Sequence, residues 1–192
     1  MTMAHSWYYS EAEEKSDSYK TPTELIHWLC DVVSKNGSLL LNIGPRPDGT
    51  IPDGMRQRLL AMGDWLRVNG KAIYGTRPRH VFGERSASRA KEKTKGRDGK
   101  KGTGQTPCSA GDIRFTTRGD TLYAILFGWP KDGAVKIKSL AEGKGPAKVH
   151  SVCLLGHEGQ LTFTRDASGL TVKLPGKQPG KHAFALKIGH TE

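Results

Sequence analysis

Between two amphipathic helical patterns the sequence carries one short, nearly all-apolar run, Ser38-Leu39-Leu40-Leu41-Asn42-Ile43-Gly44, which ends at Pro45. An apolar run bounded by turn residues is the pattern of a strand covered on both faces in a parallel sheet, unlike the alternation of a half-exposed hairpin strand. One strand cannot make a sheet. Leu39–Ile43 alone would leave unpaired edges on both sides, a costly and aggregation-prone arrangement unless other strands supply partners.

The flanking helices are explicit. Thr21-Pro22-Thr23-Glu24 combines a T-x-x-E capping box with proline at the first helical position. Leu25, Ile26, Leu29, Val32 and Val33 then recur at helical spacing and Asn36-Gly37 supplies a stop, so a helix is expected over 21–34. After the turn-rich Pro45–Thr50, Ile51-Pro52-Asp53 opens a second helix with Leu59, Leu60, Met62, Trp65 and Leu66 on its face, closed by Asn69-Gly70. Helix, buried strand and helix form a piece of an α/β repeat, as in a doubly wound sheet or a barrel. At 192 residues the chain is too short for a complete eight-stranded barrel with anything attached.

The character changes at residues 77–101, where ten basic residues stand against three acidic ones and account for most of the net charge of +11. Ser86 to Gly104 holds no aromatic and no aliphatic residue larger than alanine, which reads as a flexible loop or linker. Beyond it the period becomes two. Short runs rich in Val, Ile, Leu, Thr and Phe at 112–117, 121–129, 134–139, 147–155, 161–164, 170–174 and 183–188 are separated by glycine-, aspartate- and proline-bearing turns. Their spacing predicts an antiparallel β-sandwich. The expected fold class is therefore α+β: a partial (β/α) barrel segment, helix–strand–helix, over 1–82, a basic flexible linker over 83–111, and an antiparallel β-sandwich over 112–192.

The chemistry-bearing residues are sparse. Glu11, Glu13 and Glu14 lie in a polar stretch read as a solvated loop, and Asp48 in Pro-Asp-Gly reads as a turn former. Asn42 interrupts the apolar run near its C-terminal end, so it is either satisfied by backbone or faces a site. Trp7, in His5-Ser6-Trp7-Tyr8-Tyr9, either packs in a core or offers its face to the apolar side of a sugar ring. His27 and Trp28 read as packing or surface residues. The remaining histidines have no paired ligand spacing, and Cys30, Cys108 and Cys153 form no C-x-x-C pair, so no metal site, cofactor or disulfide framework is expected and the redox compartment stays open. Gly44–Gly49 lacks the phosphate-loop pattern and contains two prolines that remove backbone donors. No apolar run is long enough to span a membrane, and Met1–Trp7 offers neither the basic nor the apolar part of a secretory signal. The basic tract has no interleaved aromatics, so it reads as a solvated loop rather than a nucleic-acid surface.

Taken together, Ser6-Trp7-Tyr8-Tyr9, the helix ending Asp31-Val32-Val33-Ser34-Lys35-Asn36-Gly37, the run Leu39–Pro52, and Gly63-Asp64-Trp65-Leu66 through Asn69–Thr76 resemble the α-L-fucosidases of glycoside hydrolase family 29. Asp112–Thr117 to Trp129-Pro130, and Leu154-Leu155-Gly156-His157 onward, look like the C-terminal β-sandwich of the same enzymes. The resemblance implies retaining hydrolysis of terminal α-L-fucose by two carboxylates, with fucosylated glycans as partners and a secreted, periplasmic or lysosomal setting common in the family. It also implies that the nucleophilic Asp, the fucose-holding histidines and the acid/base Glu lie on parts of the family pattern that precede Ser6, so no catalytic residue is assigned here. Only Trp7 is carried over, as a wall of the fucose pocket, and the pattern's small residue after it is replaced by Tyr8. The chain is thus expected to be inactive alone, with the rest of a barrel or a homo-oligomer as its partner. The alternative is a non-catalytic β-sandwich that binds carbohydrate or another protein.

Overall fold

The computed structural model describes residues 1–85 and 109–191; residues 86–108 of the basic linker expected over 83–111, Cys108 among them, lie outside them. Three helices come first: α1 (Glu11–Lys15), α2 (Pro22–Ser34) and α3 (Asp53–Asn69). Eight strands follow: β1 (Arg77–Glu84), β2 (Ile113–Arg118), β3 (Thr121–Leu126), β4 (Ala134–Ile137), β5 (Lys148–Leu154), β6 (Phe163–Asp166), β7 (Gly169–Lys173) and β8 (Phe184–Thr191). They form a five-stranded sheet, β1-β2-β3-β8-β5, and a three-stranded sheet, β4-β7-β6, with every ladder antiparallel. Among the described residues there is no closed barrel, and no helix is long and apolar enough to cross a membrane.

The seven sandwich strands match the runs of period two, and β1 adds an eighth. Arg77–Glu84 carries Pro78, an irregular register against β2 between Pro78 and Gly83, and mostly exposed or half-buried residues, so no alternation marks it in the sequence. Along β3, Leu122, Ala124 and Leu126 face the second sheet and form one core with Phe115, Ile137, Leu154, Leu170, Leu186 and Ile188. The intervening Tyr123 and Ile125, with Phe127, Ala183 and Ala185, face the other way into a second core. That second core is completed by Leu25, Ile26 and Cys30 of α2, by Met55, Met62 and Trp65 of α3, and by Met3 and Ala4. The molecule therefore has three layers, with the large sheet buried on both faces. Complete burial of a side chain such as Leu25 or Ile26 is worth about 1.5–3 kcal/mol.

Both long helices sit where the pattern puts them. Thr21 and Glu24 form the reciprocal capping box, and α2 ends in a Schellman arrangement: Gly37 donates to Val32 O at 2.9 Å and Asn36, at φ 63°, to Val33 O at 3.0 Å. On α3 the buried face is Met55, Met62, Trp65 and Asn69, whereas Leu60, assigned to that face from the sequence, is 53% exposed.

The central apolar run departs from a strand covered on both sides. It is extended but pairs at a single parallel bridge, Thr2 with Asn42. Met3 N donates to Asn42 O at 3.1 Å and Asn42 N to Met1 O at 2.8 Å, so Met1–Met3 is the partner on one edge. Leu41 and Ile43 pack toward the helices, while Leu40 on the opposite face is 76% exposed.

Candidate functional site

The segment that follows Met1–Met3 crosses the C-terminal end of this parallel pair. Its close approach requires Gly44, where a Cβ would lie 2.8 Å from Tyr9 N and 2.9 Å from the Tyr8 carbonyl carbon. Asn42 resolves toward the backbone reading, in a way that serves the loop: its Nδ2 donates to Trp7 O at 2.7 Å. Thr2 Oγ1 donates to Ser6 O at 2.9 Å. Polar side chains on the pair's open face thus hold the loop by its carbonyls and leave its aromatic rings outside. Trp7 is 59% exposed and Tyr8 76%, so neither belongs to a core of this chain.

The acidic stretch beside the loop is a helix rather than the loop expected. Ser10 caps α1, and its three glutamates have separate attachments. Glu13 Oε1 accepts from His5 N at 3.2 Å and Ser6 N at 3.1 Å, tying the start of the aromatic loop, while its Oε2 is buried with no partner among the described residues. Glu14 is bound by Arg46, whose Nε donates at 3.1 Å to Oε1 and whose Nη2 also donates to that oxygen. The Arg46 hydrogen bond, and then that of Tyr9, hold the Glu14 carboxyl below the ordinary carboxylate range, and the same contact raises the Tyr9 hydroxyl. Glu11 pairs with Lys15 at 2.6 Å on the surface. Asp48 Oδ1 accepts from Thr50 N at 2.9 Å and Thr50 Oγ1 at 2.7 Å, closing the turn as its sequence context implies.

What the geometry offers is an aromatic platform on a braced loop. Trp7 and Tyr8 present π-faces of the kind that stack on apolar ring surfaces. The Arg46–Glu14 brace, which joins α1 to the turn after Ile43, is not legible from the sequence, since the two residues stand 32 positions apart. His27 and Trp28 lie elsewhere, on α2: His27 is buried and stacked on Phe127 at 4.3 Å, and Lys20 stands 5.4 Å from the Trp28 ring. Among the described residues no three His, Cys, Asp or Glu side chains cluster as a metal site would need.

Comparison with known proteins bears on the whole chain. Residues 1–71 match the model of the alpha-L-fucosidase family, and residues 105–189 match that of the alpha-L-fucosidase C-terminal domain. The chain belongs to the α-L-fucosidase family. The tissue alpha-L-fucosidase of Mus musculus is 34% identical over 188 residues, covering 95% of this chain and 35% of that protein. The plasma alpha-L-fucosidase of Rattus norvegicus is 36% identical over 189 residues, with 97% and 35% covered. The chain thus spans about a third of the length of these fucosidases and corresponds to their C-terminal part. Among solved structures, the Thermotoga maritima alpha-fucosidase in complex with fucose superposes with a TM-score of 0.76 at 28% identity, over 98% of this chain and 38% of that one. The fucosidase likeness therefore runs through both the helical segment and the sandwich, including the mixed helix and antiparallel-sheet fold class.

Proposed function

We propose that this chain supplies one wall of an α-L-fucosidase active site, Trp7, together with the layer that supports it, and that retaining hydrolysis of terminal α-L-fucose needs barrel strands beyond those described. The observation that carries this reading is the Trp7 loop, held by Asn42 and Thr2 at the C-terminal end of a parallel strand pair. In parallel barrels that end is where substrates bind. The division into a barrel segment over 1–82 and a sandwich over 112–192 follows the same reading, with β1 carrying the chain from one to the other. So does the partner: Leu40, exposed on the pair's open face, is the surface that further barrel strands would cover, whether from the same polypeptide or from a second copy. Fucosylated glycans are the substrate class by family.

The test is hydrolysis of an aryl α-L-fucoside by the purified 192-residue chain, run beside a tryptophan-fluorescence titration with L-fucose. Absence of turnover, with weak binding that Trp7→Ala abolishes, supports the proposal. Turnover by the chain alone overturns it.

A further inference from the structure

A second recess lies on the sandwich, away from the aromatic loop. It is an open groove of about 660 Å³ between β1 and the loop before β5, lined by Arg79, His80, Thr117, Lys144, Pro146 and His190 among others. Its titratable lining is entirely basic. Arg79 is half-buried, its guanidinium 5.6 Å from the Phe115 ring and its Nη1 3.5 Å from Ser139 Oγ. Burial lowers the pKa of Arg79, and the charge of Glu84, whose oxygens accept from the Lys138 and Ser139 amides at 3.1 and 2.7 Å, acts against that. Among the described residues, neither Arg79 nor Lys144 has a carboxylate within ion-pair distance. An arginine stays charged whatever its surroundings, and this half-buried one, with Glu84 acting on it from beyond ion-pair distance and one side-chain hydrogen bond at 3.5 Å, has guanidinium donors to offer an anion.

Two further observations mark the groove as built. His190, part of the lining, is only 8% exposed, and its Nδ1, closed off from solvent, has no hydrogen-bond partner among the described residues. The opposite wall is fixed by Arg165, which donates to the carbonyls of Leu140, Ala141, Pro146 and Ala147 at 2.7–3.1 Å. Arg165 thereby holds the Lys144–Ala147 loop in place before any ligand arrives and adds a further positive charge beside it. Pro78 and Pro146 give the groove apolar sides.

We propose that this groove is a binding site for a small ligand bearing an oxyanion group, a sulfate, phosphate or carboxylate, held by Arg79 and Lys144 with His190 beneath. A guanidinium offers such a group paired, charge-assisted donors, and Lys144 adds a point charge from the rim. The site is separate from the Trp7 loop, so the two stand or fall independently.

The experiment is titration of the full chain, followed by calorimetry and amide chemical shifts at constant ionic strength, with inorganic sulfate, inorganic phosphate and glucuronate as three arms and glucose as the neutral control. Saturable binding of at least one anion, with shifts confined to residues 78–80, 117, 144–147 and 190, is expected. Lys144→Gln, at an exposed position that cannot threaten folding, should weaken binding about threefold, and Arg79→Gln about tenfold, the loss of one charge-assisted contact. Trp7→Ala should leave it unchanged. The arm that binds identifies the oxyanion. The proposal is overturned if no anion saturates, if Lys144→Gln binds as the parent does, or if only a polyanion such as heparin binds.

Discussion

The sandwich and the helical segment bury their apolar side chains by different routes. Phe115, Leu122, Ile137 and Leu186 meet between two sheets that both belong to the sandwich, so that core is closed within residues 77–191. Leu25, Met62 and Trp65 have no second layer of their own and rest on Tyr123, Ile125 and Phe127, the back of the sandwich sheet. The one strand-like pair in the helical segment has Leu40 in solvent. The sandwich is thus a unit, and the helical segment is a layer that depends on it.

Cutting the chain tests that asymmetry most severely. Residues 1–76 alone should show no cooperative thermal transition by circular dichroism, because five of the sixteen buried residues of their core, the whole sheet face they rest on, are gone. Residues 77–191 should unfold cooperatively but self-associate through the uncovered Tyr123, Ile125 and Phe127. A cooperative transition in the first piece would show that the helical segment is a unit as well.

Trp65→Ala asks the same question at one residue. The indole is 5% exposed and its Nε1 donates to Ala183 O at 2.8 Å, so truncation should cost about 3–5 kcal/mol in urea unfolding. Trp65→Phe, which removes the N–H together with part of the buried ring, should cost less, about 1–3 kcal/mol. If the helical segment is a dependent layer, each variant should still unfold in a single transition rather than shedding the helices first.

Charge ties the layers next. Arg114 Nε donates to Asp31 Oδ1 at 2.7 Å, and Lys35 pairs with the same carboxylate at 2.7 Å. Burial opposes ionisation of Asp31, but the Lys35 and Arg114 hydrogen bonds outweigh it and lower its pKa. Arg114→Leu leaves a buried acid with a half-exposed partner and should cost about 3 kcal/mol, most of it recovered in the Asp31→Leu, Arg114→Leu double variant. Simple addition of the two single losses would sever the proposed link.

Titration gives a smaller effect at the same seam. His27 Nε2 donates to His182 O at 2.9 Å, and burial lowers the His27 pKa from the ordinary 6.5. A depressed histidine binds fewer protons folded than unfolded, so its contribution is complete above about pH 6.5 and is lost as pH falls through the folded value. His182, lowered by burial and by Lys181, acts in the same direction; Asp112 favours the charged His27 and Arg114 opposes it. His27→Gln, which retains a donor, should flatten but not abolish the fall in Tm between pH 7 and 5. An unchanged slope would place the sensitivity elsewhere.

These seams also mark the limit of what the sequence disclosed. Periodicity revealed α2, α3 and seven strands because each repeats one environment at a fixed interval. Arg77–Glu84 escaped because Pro78 and a register shift break any alternation, and Met1–Met3 because three residues are too few to show one. Leu40 was misjudged because a fully apolar run does not say which face its neighbours cover. At the site, the sequence singled out Trp7 and left Asn42 between two readings; the contact that joins them spans 35 residues, beyond the reach of any local pattern.

Trp7 should give the smallest stability effect and the most specific functional one. Its ring is 59% exposed, so Trp7→Ala should change unfolding free energy by no more than about 0.5 kcal/mol. Asn42→Ala keeps the ring but removes the donor to Trp7 O, freeing the loop without altering its aromatic surface. If Trp7 is a sugar-stacking wall, Trp7→Ala should abolish the fluorescence response to L-fucose, whereas Asn42→Ala should weaken it and retain its amplitude at saturation. Equal responses in the parent and both variants would leave the loop a bare surface and remove its part in the proposed site. Loss in Trp7→Ala with partial retention in Asn42→Ala would separate the group that touches sugar from the group that aims it, and would set the helical segment's role as substrate wall against the sandwich's role as support.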